Sequence, residues 1–295
     1  MTEAVPDQLA ADRRHLLGVA YRMLGSVADA EDAVQETLAR WYRLPEADRA
    51  EVAVPRAWLT RVVGRVCLDV LGSARARRER YVGEWLPEPV PADFAAPRDP
   101  AADPAERAAL SESVGLALLV VLDSLPPAER VVLVLHDVFA VPFDEVAAAV
   151  GRSPAACRQL AVAARRRVAA ARPRPAGRSR HDAVTRAFAA ACAGGDLTAL
   201  VAVLDPDVTL RSDGGGVVSA ARHPVRGADR VARFLLGVLA KDPDGRVEEV
   251  RTGDGLAYLV RAGERPRALL SLGTDGDRAT DVWIVMNPAK LGCWA

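Results

Sequence analysis

Over the first eighty residues, apolar side chains recur every three to four positions, the period of amphipathic helices. HLLGVAYRML carries that period, Gly25 breaks it, and VADAEDAVQETLARW, from Val27 to Trp41, resumes it. Ser26 and Asp29 have the S-x-x-D spacing of a capping box and open this second helix. Its Ala30, Ala33, Val34, Thr37, Leu38 and Trp41 fall on one side, while Asp29, Glu31, Asp32, Gln35 and Glu36 lie on the other faces. A third helix starts after Pro55 with RAWLTRVVGRVCLDVL, whose apolar stripe makes Trp58 a core side chain, and runs into SARARRER.

The helical period returns over residues 110–171. VGLALLVVLDSL and PPAERVVLVLHDVF are separated by Pro126 and Pro127. A short helix over Phe143 to Val150, a turn at Gly151, a cap at Ser153 and Pro154 in the next first turn then match the helix-turn-helix pattern. From about His181 the pattern changes. DAVTRAFAAACAGG, DLTALVAVL and ADRVARFLLGVLAK read as helices. VTLRSDGGG lies between the last two, and RVEEVRT, GLAYLVRAG, RPRALLSLG and RATDVWIVMN read as strands. The expectation is an α+β domain with a curved antiparallel sheet. Two breaks divide the chain. The first, with six prolines between Tyr81 and Glu106, favours extended backbone, and the second is RPRPAGRSR. The expected organisation is 7–80 and 110–171 as helical blocks, 81–109 and 172–180 as linkers, and 181–295 as the α+β domain.

The 295-residue length agrees with two or three domains, and half the residues are apolar, enough for real cores. A formal net charge of zero argues against a nucleic-acid partner only on average, because the charges are grouped. The amino terminus lacks the pattern of a signal peptide, and the apolar run from Val114 to Leu122 is far short of the ~18–20 residues of a membrane helix, so a cytoplasmic protein without a membrane partner is expected. Four scattered cysteines without a CxxC pair suggest neither a disulfide framework nor a zinc site, and no metal or cofactor is expected.

Three clusters carry candidate chemistry. In the second helix of the helix-turn-helix, Ser153, Ala155, Ala156, Arg158 and Gln159 occupy positions that face a DNA major groove, where Arg and Gln pair bidentately with guanine and adenine edges. Arg165, Arg166 and Arg167, two turns on, suit phosphates, although a solvated helix end with cations offsetting the dipole has the same composition. Arg75, Arg77 and Arg78 form a second basic group at the end of the first block. Asp213 and His223 would make an acid/base pair if they met in a cavity of the third block. The residues alone therefore leave open a DNA-binding regulator that acts without polymerase and an enzyme with a helical scaffold.

Six stretches resemble one family. RMLGSVADAEDAVQETLARW resembles the part of extracytoplasmic-function sigma factors, within the sigma-70 family, that grips the clamp helices of the RNA polymerase beta-prime subunit. PRAWLTRVVGRVCLDVLGSARARR resembles the part that melts and reads the minus-ten element, and LPPAERVVLVLHDVFAVPFDEVAAAVGRSPAACRQLAVAARRR the domain that reads the minus-thirty-five element. YVGEWLPEP resembles the linker of one subgroup, and DGGG (Asp213, Gly214, Gly215, Gly216) and NPAKL (Asn287, Pro288, Lys290, Leu291) resemble its tail motifs. The resemblance implies two all-α sigma domains and a cone-shaped SnoaL-like domain that regulates them by intramolecular contact. It implies no catalysis. Asp29, Glu31, Asp32, Gln35 and Glu36 would dock on the polymerase core. Arg61 and Arg65 would approach the non-template strand of promoter DNA, with Arg75, Arg77 and Arg78 near phosphates, and the linker would thread polymerase channels. Lys290 would meet a carboxylate as the tail docks on the first block. Two departures stand out: many relatives carry Asn where Arg65 stands, and Val217 replaces the Lys that usually follows the glycines.

Overall fold

The computed structural model describes residues 4–78, 81–94, 115–171, 177–241 and 245–295. The chain forms two compact units, one of residues 1–79, 93–113 and 121–171, the other of residues 80–92, 114–120 and 172–295. The start of the expected linker thus groups with the carboxy-terminal domain, while the expected block start at residue 110 lies outside the described residues.

The first unit contains α1 (Ala4–Leu24), α2 (Val27–Arg43), α3 (Glu46–Glu51) and α4 (Pro55–Arg78). After α5 (Leu116–Asp123), through which the division runs, come α6 (Pro127–Leu133), α7 (Phe143–Val150) and α8 (Pro154–Ala171). Gly25, at φ +71°, lets the chain leave α1, and Ser26 Oγ accepts the Asp29 N–H at 3.3 Å to start α2. Ala30, Ala33, Val34 and Thr37 are buried as the period requires, while Leu38 and Trp41 are half-buried. The expected helix after Pro127 widens into a π-helical turn over Val134–Val138, closed by the Phe139 N–H on the Val134 carbonyl. Gly64 on α4 lets the two helical blocks approach closely: a Cβ there would lie 3.0 Å from Leu135 and 3.7 Å from Ala149. Helices α4, α6 and α7 therefore share one core.

The second unit contains α9 (Arg178–Ala193), α10 (Leu197–Val203), β1 (Leu204–Asp213), β2 (Val225–Arg226), α11 (Ala228–Leu239), β3 (Arg246–Thr252), β4 (Gly255–Ala262), β5 (Arg265–Asp275) and β6 (Arg278–Val285), followed by two single 3-10 turns. Helix α9 starts at Arg178, inside the stretch expected as the second linker. The sheet order is β2-β1-β6-β5-β4-β3. It is mixed rather than antiparallel: β1 runs parallel to β6, from Leu204 opposite Ala279 to Asp213 opposite Val285. More than sixty residues separate the two strands, ample for the crossover that parallel pairing needs.

Strict alternation assigns the two faces of this sheet. Val282 and Ile284 of β6 and Leu272 of β5 join Phe188, Leu200 and Leu235 under the helices. Trp283 and Val285 of β6 and Leu269 of β5 face the other way, onto Leu86, Leu116, Leu291 and Trp294. That second face is covered by chain preceding the domain and by its own tail. Pro91 also bridges Thr252, and the Ala92 N–H donates to the Arg251 carbonyl, which pairs part of the β3 edge. None of the described helices is long and apolar enough to cross a membrane.

Candidate nucleic-acid interface and linker site

The helix-turn-helix forms as its spacing predicts. Gly151 ends α7 in the left-handed region (φ +71°, ψ 39°), and its N–H donates to the Ala147 carbonyl. Ser153 Oγ accepts the Ala156 N–H at 3.2 Å, so this hydroxyl caps α8. Cys157, Ala161 and Ala164 are buried at helical spacing, which leaves Ser153, Ala155, Arg158 and Gln159 exposed and Ala156 half-buried. The Arg158 guanidinium lies 5.4 Å from the Phe143 ring centre. Arg165 is not the free phosphate ligand its position suggested: Nε and Nη2 both donate to the Asp137 carboxylate at 2.6 Å. That ion pair raises the Arg165 pKa. Arg167 is likewise paired with Glu129, and Arg166 is exposed without an ion pair among the described residues.

On α2, Asp32 and Gln35 are exposed, and Asp29, Glu31 and Glu36 are half-buried. Glu36 accepts from Arg40 Nε at 2.8 Å, and this hydrogen bond lowers its pKa. Arg61 and Arg65 of α4 border an open cavity of about 280 Å³ with Arg40, Leu44, Trp58, Val62, Ala148 and Ala149. Trp58, expected as a core residue, is only half-buried: it tilts against Trp41, with centroids 5.1 Å apart, and lines this cavity. Arg65 pairs with Asp69 at 3.5 Å, and its guanidinium lies where a Cβ on Gly151 would approach it to 3.3 Å. Arg75, Arg77 and Arg78 fall in the last turns of α4, where only the backbone is described.

The tail motifs converge on one buried carboxylate. Asp213 ends β1 with no exposure. Its Oδ1 accepts from the Tyr81 hydroxyl (2.5 Å) and the Gly215 N–H (3.0 Å), and its Oδ2 from the Leu86 N–H (3.0 Å) and Lys290 Nζ (2.7 Å). Lys290 donates also to the Leu86 carbonyl (2.5 Å), and its ammonium lies 4.2 Å from the Trp85 ring centre. Asn287 donates to the Tyr81 hydroxyl (2.9 Å) and caps the first 3-10 turn through the Ala289 N–H. Trp294 Nε1 donates to the Pro89 carbonyl (2.8 Å). Burial, and then the hydrogen bond to Asp213, push the Tyr81 hydroxyl above the usual tyrosine range and keep it protonated.

The glycines of DGGG have two jobs here. Gly215 and Gly216 are left-handed (φ +64° and +73°), and a Cβ on Gly215 would lie 2.5 Å from the Asn287 amide, while one on Gly216 would lie 3.1 Å from Val82. A tight turn and a close approach by the linker coincide. Pro288 opens the 3-10 turn that aims Lys290, and Leu291 packs under the sheet. The carboxylate that Lys290 meets belongs to Asp213 of its own domain. Lys290 thereby supplies a cation that Val217, 77% exposed, does not. His223 is exposed and makes no hydrogen bond to Asp213 among the described residues, so the acid/base pair does not form. Sequence reasoning missed Tyr81, Leu86 and Pro89 as partners of the tail. The available signal was the run of Trp85, Leu86 and Val90, too apolar for a solvated linker.

Comparison with known proteins agrees with this architecture. Sigma-70 region 2 matches residues 9–78, and Sigma-70, region 4 matches residues 115–168. The chain is 46% identical over 240 residues to the ECF RNA polymerase sigma factor SigJ of Mycobacterium tuberculosis, covering 79% of this chain and 73% of that one. It is 39% identical over 293 residues to the probable ECF RNA polymerase sigma factor SigI of the same organism, covering 95% and 92%. The crystal structure of M. tuberculosis extracytoplasmic function sigma factor SigJ superposes with a TM-score of 0.75 at 36% identity over 98% of both chains. These relatives are transcription initiation factors, not enzymes. The chain belongs to the extracytoplasmic-function sigma factors of the sigma-70 family, of the type that carries a carboxy-terminal SnoaL-like domain.

Proposed function

We propose that this sigma factor, acting in the cytoplasm, is regulated by its own linker, which the SnoaL-like domain holds when polymerase is absent. The observation that carries this reading is the Asp213 carboxylate, which accepts hydrogen bonds from Tyr81 and Leu86 of the linker while Lys290 grips the Leu86 carbonyl. A linker that threads polymerase channels has to give up those bonds and uncover Trp283 and Val285. The domain is a regulator that competes with polymerase for one segment of chain.

In the promoter complex, the exposed acids of α2, with Glu36, meet the clamp helices of the polymerase beta-prime subunit. Opposite charge speeds encounter, and apolar contact holds the complex. Helix α8 reads the minus-thirty-five element through Ser153, Ala155, Ala156, Arg158 and Gln159, with Arg166 on phosphate. Arg61, Arg65, Arg75, Arg77 and Arg78 follow the strand opened at minus ten. The cavity beside Trp58 and Arg61 is apolar with cationic edges, which suits a base taken out of the stack at a cost of a few kcal/mol. Helix α4 packs against α6 and α7 in the free protein, so holding two promoter elements at once requires these helices to part.

In vitro transcription tests the reading. Polymerase core with the full chain initiates at a cognate promoter, and core alone does not. Asp213→Asn, which weakens the grip on the linker, raises the initial rate at limiting core. An unchanged rate, with linker residues 81–92 shown by hydrogen exchange to be released, overturns the regulatory reading but leaves the sigma activity standing.

A further inference from the structure

Arg158 differs from Arg165 and Arg167 of α8 in what holds it. Arg165 and Arg167 are tied to carboxylates, whereas Arg158 is exposed and has no ion pair among the described residues. Its guanidinium is instead placed over Phe143, the first residue of α7, at 5.4 Å from the ring centre. Phe143 is itself stacked on His136, with centroids 3.8 Å apart and planes 27° from parallel. His136 Nδ1–H donates to the Val141 carbonyl at 2.9 Å, which anchors that ring to the loop before α7. The result is a row of three groups, running from the π-helical turn through the first helix to the second.

The chemistry of the contact matters. A carboxylate partner occupies the N–H edge of a guanidinium, the edge that would pair with a base. An aromatic face binds the guanidinium through its plane and leaves its five N–H donors pointing outward. An unsupported arginine samples many rotamers and contacts bases and phosphates alike.

We propose that Phe143, backed by His136, is a positioning residue for promoter discrimination: it presents the Arg158 donors in one orientation to the edge of a base. This rests on the reading of α8 as the helix that enters the major groove. Phe143 itself need not touch DNA.

The test uses holoenzyme assembled from polymerase core and the full chain. Binding is measured on a cognate promoter and on variants in which each G·C pair of the minus-thirty-five element is replaced in turn. Arg158→Ala should erase the preference at one position. Phe143→Leu, which keeps an apolar side chain at this half-buried place, should reduce that same preference about fivefold, the scale of one cation–π contact, while non-specific affinity and its salt dependence stay put. Phe143→Tyr should restore it. Arg158→Lys, which keeps the charge but not the plane, should behave like Phe143→Leu, and Phe143→Leu should have no further effect in the Arg158→Ala background. A merely structural Phe143 would weaken binding to all promoters equally. The proposal is overturned if Phe143→Leu, folded by circular dichroism, keeps the full preference that Arg158→Ala loses. If Arg158→Ala also keeps it, the reading of α8 fails first and takes the proposal with it. Should Phe143→Leu not fold, His136→Leu tests the same row and must lower the same preference.

Discussion

Asp213 in the second unit and Arg130 in the first are both sealed from water, at 0% and 1% exposure, yet their hydrogen-bonding capacity is filled differently. Asp213 accepts four hydrogen bonds, one from the ammonium of Lys290. Arg130 donates from Nη1 to Asp123 at 2.8 Å, while its Nε and Nη2 find no partner among the described residues. Burial lowers the Arg130 pKa to about 9. A buried charge with its partners in place is costly to break, whereas one with orphaned donors weakens the packing around it. The buried charge beside the linker is therefore fully satisfied, and the one in the core shared by the two helical blocks is not.

The comparison breaks most readily at Asp213. Asp213→Ala leaves Lys290 buried without its carboxylate and should cost about 3–5 kcal/mol in the second unit, read by urea unfolding. A loss under 1 kcal/mol would mean that the network is not what closes it. Acid sharpens the contrast from the other side. His15 is neutral, accepting from Arg56 at Nδ1 (2.9 Å) and donating from Nε2 to Thr60 (3.0 Å), and burial, with Arg56 and Arg22 nearby, lowers its pKa to about 4. A depressed pKa contributes stability above the unfolded value near 6.5, and that stability is lost as pH falls toward 4. The first unit should lose roughly 3 kcal/mol across that window, and His15→Asn should flatten the dependence. Arg130→Met combined with Asp123→Asn removes the orphaned donors without leaving a lone carboxylate, and should raise stability by about 1–3 kcal/mol, visible as a higher Tm, while slowing initiation because the closed core opens less easily. Destabilisation on the scale of Asp213→Ala would erase the distinction. The smallest folding effect belongs to Glu36→Lys. It should leave stability nearly unchanged, because among the described residues this half-buried side chain pairs only with the surface arginines Arg40 and Arg43. Affinity for polymerase core should nonetheless fall about tenfold, as measured by competition, and unchanged affinity would remove the acidic face as the dock.

Helices α2, α7 and α8 were legible because their information is local. Ser26, Gly151, Ser153 and the apolar periods act within a turn or two of chain, and the structure uses each as its chemistry dictates. The strands β3 to β6 were legible from alternation, but the parallel pairing of β1 with β6 was not, because nothing in either segment names its partner. The same limit hid the pairing of Arg165, whose carboxylate lies 28 residues away, and the half-buried setting of Trp58, which lies in an apolar stripe yet borders a cavity.

By itself, the sequence determined two helical blocks with a helix-turn-helix in the second and an α+β domain behind them. Period, caps and turn residues are short-range properties, and side-chain type decides them. Only the tertiary structure decided that DGGG, NPAKL and the YVGEWLPEP stretch are one site. Tyr81 and Asp213 stand 132 residues apart, Leu86 and Lys290 stand 204 apart, and a hydrogen bond across such a distance in the chain depends on where the sheet puts its ends.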